Sequence, residues 1–253
     1  MTPITVLAIG QSNMRGGLGA TGGEKDFPTS AKFFNSKERS FGTAWVDPVW
    51  GQFPFDRTED GGLSYSNNIS LSFARTVIQA TGRPVWTYFV AKGQQPIESF
   101  LRPATRLKGE WPLPDGKANL APLLYNPTHG ARAALDLVPA PHFDVVLMHQ
   151  GEANARNSGQ SYAEKIKALY ADLSDTGLIR PTTQFLIGGL WEGKPFYAVH
   201  KNALIAAAQE LPNFHFIDSN GLINMADGRH SPLHFPGLEL QEIGRRMAAA
   251  YLQ

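Results

Sequence analysis

The 253 residues include no cysteine, which excludes disulfides and thiolate chemistry outright. Neither sign of charge is in excess: 23 basic residues against 22 acidic leave a formal charge of +1. Such a balance lays down no electrostatic footprint for nucleic acid or for an anionic membrane. No apolar run approaches the roughly 20 residues of a membrane-spanning helix. The opening MTPITVLAIG lacks a basic region and a cleavage site and runs straight into an apolar stretch. That fits a cytoplasmic protein, or a chain from which a leader or neighbouring domain has been removed, and it leaves the compartment open.

What is present is the composition of a globular protein with a sizeable core, 42% hydrophobic and 18% charged. Residues 4–9 (ITVLAI) are apolar on both faces, as a central parallel strand requires. Further strands are expected at 84–91, 143–148, 184–190 and 214–218. Helices are expected at 66–80, 161–173, 197–211 and 238–252, with apolar residues at helical spacing. Residues 120–137 read as a helix that Pro127 must kink or split. The glycine-rich region 15–63 reads as long surface loops. Strands alternating with helices predict one α/β domain over residues 1–253, three layers deep, around a doubly wound, flavodoxin-like parallel sheet of about five strands.

In such a sheet the loops after the strands' carboxyl ends converge on one rim, where ligands bind. Four polar segments belong there: Gly10-Gln11-Ser12-Asn13-Met14, Lys92-Gly93-Gln94-Gln95-Pro96, His149-Gln150-Gly151-Glu152, and Asp227-Gly228-Arg229-His230-Ser231-Pro232-Leu233-His234-Phe235. This inventory has the chemistry of a serine esterase. A serine hydroxyl is a poor nucleophile until a base takes its proton, and histidine titrates near neutrality. A carboxylate that orients the base, and N–H donors aimed at the oxyanion, complete the set.

GQSNM, KGQQPIESF, HQGE and an LHF ahead of the last helix together resemble the SGNH hydrolase superfamily. More narrowly they are similar to its sialate O-acetylesterase-like and acetyl xylan esterase branch, carbohydrate esterase family 6. The resemblance spans nearly the whole chain, and the G-x-S-x-G elbow of the other large esterase fold is absent. It implies Ser12 as nucleophile and His234 as base. The oxyanion hole would comprise Ser12, Gly93, Gln94 and the Gln150 amide, with Gln94 standing where the family has a second glycine. Gln11, Asn13 and His149 are assigned to substrate contact, with bracing of its loop as the other reading of His149. The family's aspartate, three residues before the histidine, is here Ser231. The acid is therefore Glu152 acting with His234 or, as the alternative, Asp227 acting with His230 in the out-of-register DGRH.

The implied activity is removal of O-acetyl groups from a carbohydrate such as acetylated xylan, sialic acid or another polysaccharide, through an acetyl-enzyme and without cofactor or metal. His230 and His234 at i, i+4 invite a zinc reading, which Pro232 between them opposes. Two rival readings stand: a carbohydrate-binding pseudo-esterase that has lost its acid, and an esterase or thioesterase acting on non-sugar esters. Ser12 as a helix cap is the structural alternative. Glu98 reads as a carboxylate favouring a helix N-terminus. Trp45, Trp50, Phe53 and Phe55 would either stack on sugar rings or pin a long loop.

Overall fold

The computed structural model describes residues 1–16, 29–35, 40–42, 69–138, 140–155, 161–193, 195–224 and 233–253. Five of its strands lie where the apolar runs predict them: β1 (Ile4–Gly10), β4 (Val85–Ala91), β5 (Val145–His149), β6 (Gln184–Gly188) and β7 (Phe214–Ile217). Two more, β2 (Ala31–Asn35) and β3 (Ser40–Gly42), fall inside the region expected to be loops. They form a hairpin at the sheet edge, with β2 parallel to β4 and β3 antiparallel to β2. Only β2 shows much apolar character, and five residues amid glycines and charges carry too little pattern to betray a strand. The spatial order is β3-β2-β4-β1-β5-β6-β7, so six parallel strands stand where about five were expected. Without the edge hairpin the order is that of a flavodoxin-like doubly wound sheet.

Alternation along β1 builds two cores. Ile4, Val6 and Ala8 face α2 (Ile69–Thr81) and α8 (Gly237–Tyr251), packing with Ile69, Phe73, Val77, Leu240, Ile243 and Met247. Leu7 and Ile9 face the opposite layer, where Tyr162, Ile166, Leu169 and Leu173 of α6 (Ser161–Asp175) and Leu204 of α7 (Pro195–Glu210) close the other side. Every residue of β1 is buried, and each large aliphatic one contributes about 1.5–3 kcal/mol of transfer free energy.

Residues 120–137 split rather than bend, into α4 (Ala121–Tyr125) and α5 (Ala131–Leu135). Pro127 removes a helical donor, and the Asn126 side chain takes over the junction, accepting from the N–H groups of Thr128 at 2.8 Å and His129 at 3.2 Å. The preceding segment holds a single 3₁₀ turn, Ile97–Ser99, and the short helix α3 (Pro103–Lys108). Among the described residues no helix is long and apolar enough to cross a membrane.

Register then positions the rim. Gly10 at the end of β1 pairs with Ala91 on one side and His149 on the other, so three strand ends lie abreast at the sheet's centre. The chain runs from β1 to β2 and β4 on one side and then crosses to β5 on the other, the reversal of strand order at which a crevice opens above β1.

Candidate active site

β1 can end at the crevice only because residue 10 is glycine. A Cβ there would fall 2.2 Å from the His149 carbonyl oxygen and 2.6 Å from Met14 Cβ. With that approach open, the Gln11 N–H donates to the His149 carbonyl at 3.2 Å and the Lys92 N–H to the Gly10 carbonyl at 3.2 Å. The chain turns at once into α1 (Ser12–Arg15), whose N-cap is Gln11 with no side-chain cap. Ser12 is therefore the first helical residue and not a cap. Its hydroxyl lies 2.9 Å from His234 Nε2, joining residues 222 positions apart in the sequence. Both side chains are half-buried, which leaves the pair reachable from solvent. A Cβ placed on Gly93 would come 3.9 Å from Ser12 Cβ, so the β4 loop runs directly beside this serine.

Behind the pair lies Glu152, 9% exposed. Its Oε1 accepts a hydrogen bond from Asn13 Nδ2 at 2.5 Å and stands 3.5 Å from His149 Nδ1. Oε2 is buried with no hydrogen-bond partner among the described residues. Burial pushes the carboxyl up to about 7, while the Asn13 hydrogen bond and the charge of His234 pull the other way. His149 is fully buried and is pushed down to about 4 by desolvation, hence neutral. Its Nε2 lies 3.2 Å from the Gly189 carbonyl, which can only accept, so Nε2 carries the hydrogen. Nδ1 then points a lone pair at Glu152 Oε1. Two acceptors facing each other favour a proton on the carboxyl, the direction in which burial also pushes it.

Three residues expected to touch substrate lie beneath the surface. Gln11 is 3% exposed, and Asn13 and His149 are 0% exposed. The turn after Gly10 sends residues 11 and 13 inward and leaves Ser12 facing the crevice. Gln150 also departs from expectation. Its Nε2 donates to the Gln95 carbonyl at 3.0 Å and to Asn154 Oδ1 at 2.9 Å, while its Oε1 accepts from the Tyr162 hydroxyl. Both amide hydrogens are committed inside the protein, so Gln150 braces the β4 loop and does not offer an oxyanion donor. Glu98 lies, as expected, in the first turn of a short helix, the 3₁₀ turn Ile97–Ser99, and it is also buried in an ion pair with Lys165 at 2.6 Å and accepts from Asn154 Nδ2 at 2.9 Å. Asn154 and Lys165 were not singled out by sequence reasoning; HQGEAN and the buried face of α6 carry no motif that marks them.

Gln94, in the glycine-replaced position, is exposed and holds φ at 61°, the left-handed conformation a glycine adopts freely. Gly151 does have the glycine its backbone needs. With φ at 140°, its Cβ would strike His200 Nε2 at 1.8 Å. Asp227, His230, Ser231, Pro232 and the aromatics Trp45, Trp50, Phe53 and Phe55 lie outside the described residues.

A family model described as carbohydrate esterase, sialic acid-specific acetylesterase, matches residues 4–253. The chain belongs to this carbohydrate esterase family. Its fold is shared by a protein from Arabidopsis thaliana, 18% identical over 99% of this chain and 98% of that one, with a TM-score of 0.70. It is shared as well by XAC1771, a carbohydrate acetylesterase from Xanthomonas citri: 19% identity, TM-score 0.65, over 98% of this chain and 55% of that one. NanS is similar at 16% identity and a TM-score of 0.58, over 100% of this chain and 98% of the other. No curated protein matches the sequence. In this family member the segments GQSNM and HQGE lie on adjacent strand ends, and the LHF segment closes over them from the far end of the chain.

Proposed function

We propose that this family member is a serine esterase of the SGNH type that removes O-acetyl groups from a carbohydrate, residues 1–253 acting as one catalytic domain. The observation that carries the reading is the 2.9 Å contact between Ser12 Oγ and His234 Nε2, the geometry a base needs to take a hydroxyl proton.

In the first step Ser12 Oγ attacks the ester carbonyl as its proton passes to His234. The oxyanion that forms is held by the backbone N–H groups of Ser12 and Gly93, with the turn at Gln94 presenting the loop. Each such donor is worth about 10²–10³ in rate. His234, now imidazolium, protonates the departing sugar oxygen and leaves an acetyl ester on Ser12. Water, deprotonated by His234, then attacks that ester; acetate leaves and the serine recovers its proton. Glu152 acts through its field. A positive charge on His234 favours the ionised carboxylate, and the ionised carboxylate favours the imidazolium. No cofactor takes part in these steps.

The substrate class follows from the family, and the particular sugar is an open choice among acetylated xylan, O-acetyl sialic acid and other acetylated polysaccharides. Acetate release from a panel of these, with Ser12→Ala beside the parent, tests the reading. We expect release from at least one sugar and a loss of about 10⁶-fold in kcat for the variant, with an unchanged circular dichroism spectrum. Release that persists in Ser12→Ala sinks the serine mechanism. Turnover of acyl thioesters or simple esters without any acetylated sugar would move the protein to non-sugar substrates. Sugar binding without turnover, and without labelling by a serine-directed phosphonate, would make it a pseudo-esterase.

A further inference from the structure

His234 reaches Ser12 from a segment more than two hundred residues away, and α8 begins only at Gly237. Something must hold the base in line with the nucleophile to within a fraction of an ångström. One side chain touches both neighbours of His234. Asn13 Nδ2 donates to the Leu233 carbonyl at 3.0 Å, and Asn13 Oδ1 accepts from the Phe235 N–H at 3.1 Å. The chemistry permits no other orientation of the amide, since a backbone carbonyl only accepts and a backbone N–H only donates. The remaining Nδ2 hydrogen goes to Glu152 Oε1 at 2.5 Å. Asn13 is fully buried and all its polar capacity toward the segment is used.

We propose that Asn13 is the positioning residue for the base, a clip that ties the backbone on both sides of His234 to the turn carrying Ser12. The proposal rests on the esterase reading and extends it. The nucleophile and the clip are adjacent residues on the rigid end of β1, so one short turn carries the serine and sets where its base must sit. Glu152 takes part by accepting the second amide hydrogen, which locks the amide in its register. Among the described residues the titratable groups that face this junction are His234, His149 on β5, Tyr162 on α6, whose ionisation burial and the charge of Glu152 oppose, and His200 on α7, packed edge-on to Tyr162 at 4.1 Å between ring centroids.

Asn13→Asp tests it with a change of almost no volume. The aspartate keeps an acceptor for the Phe235 N–H but, ionised, loses both donors and sets negative charge against Glu152 Oε1 and the Leu233 carbonyl. Protonated, it regains one donor. We expect kcat to fall about 10²-fold at pH 8, the cost of a misplaced base, with KM for the acetylated sugar changed by less than about threefold. The ratio of variant to parent activity should then climb as pH falls toward 5. Asn13→Ala should show the same loss with no such climb. Parent-like kcat in Asn13→Asp at pH 8, or a ratio that is flat with pH, overturns the clip.

Ser12→Ala run alongside separates the two ideas. If that variant retains turnover, the esterase reading fails whatever Asn13 does; if it is dead and Asn13→Asp is fully active, the clip alone fails. Should the Asn13 variants not fold, hydrogen exchange on the parent protein decides. The Phe235 amide should be protected on the scale of the β5 amides, and exchange at the rate of an open loop overturns the proposal.

Discussion

Glu98 and Glu152 are both buried, 6% and 9% exposed, and both follow strands that flank β1, yet their surroundings differ in kind. Glu98 has a cation, Lys165 at 2.6 Å, and a neutral donor, Asn154 at 2.9 Å, one for each carboxylate oxygen. Glu152 has only neutral donors, the Asn13 amide on Oε1 and its own backbone N–H, an opposing lone pair from His149 at 3.5 Å, and no side-chain cation among the described residues. A buried carboxylate with complete partners is a strut. One whose counter-charge is missing is held close to the point of changing state, and such groups gather where chemistry occurs. In the proposed mechanism the missing charge is one that His234 acquires only when it takes a proton. The pair thus divides the rim into a braced half under the β4 loop and a responsive half under Ser12.

The sharpest break of this comparison is Glu152→Gln. Kinetics on an acetylated sugar should show kcat down by about 10⁴-fold, the scale of losing the carboxylate behind a catalytic histidine. Since Glu152 stays protonated below about pH 7, the parent's activity should rise through that pH, and the variant's acid limb should lie lower. A variant within threefold of the parent would hand the acid's role to Asp227. Glu98→Gln is the control, and its acid limb should coincide with the parent's.

Next in size is Lys165→Met, which leaves Glu98 buried without its cation. Urea unfolding should record a loss of about 3–5 kcal/mol. A loss below 1 kcal/mol would mean that the pair is no strut.

Stability should move the opposite way at Glu152. Its folded pKa is raised, so its contribution is present at low pH and is lost as pH climbs from about 4.5 through 7. Glu152→Gln should therefore unfold at higher urea than the parent at pH 8, by up to about 3 kcal/mol, with the gap closing below pH 5. His149 and His200, both pushed down to about 4, have the reverse sign and stabilise above about 6.5, losing that contribution as pH falls toward 4. Denaturation curves across pH should show the Glu152 gap on top of a general weakening toward acid. No gap at pH 8 would remove the idea that the protein bears the cost of an unpaired carboxylate for catalysis.

The smallest effect is expected at Gln94, where the two halves meet. Gln94→Gly removes a left-handed strain of about 1 kcal/mol and adds freedom to the unfolded chain. The net gain should be below about 1 kcal/mol by urea titration. A clear loss would show that the Gln94 side chain has a partner.

Most of the sheet was legible because buried parallel strands are continuous apolar runs, and the five runs beginning at Ile4, Val85, Val145, Gln184 and Phe214 carry that mark. β2 and β3 were not, since an edge hairpin of five and three residues takes its stability from β4 rather than from its own pattern. At the site, GQSNM, HQGE and LHF pointed to Ser12, Glu152 and His234. The direction of each polar side chain was hidden. Gln11, Asn13 and His149 share motifs with these residues, which suggests substrate contact, yet each turns inward; for His149 that fits the alternative of a brace. Gln150 has the right chemistry for an oxyanion donor and the wrong partners, because Gln95, Asn154 and Tyr162 claim it.

Residue type and order by themselves determined the doubly wound architecture, the chemistry at the strand ends and the absence of thiol chemistry. These follow from local hydrophobic periodicity and from which groups can titrate or attack. Only the tertiary structure decided which glutamate has a cation, which amides are committed and what holds His234 to Ser12. Hydrogen bonds between residues 139 to 222 positions apart leave no trace in local pattern, and their cost or gain depends on burial, which exists only once the chain has folded.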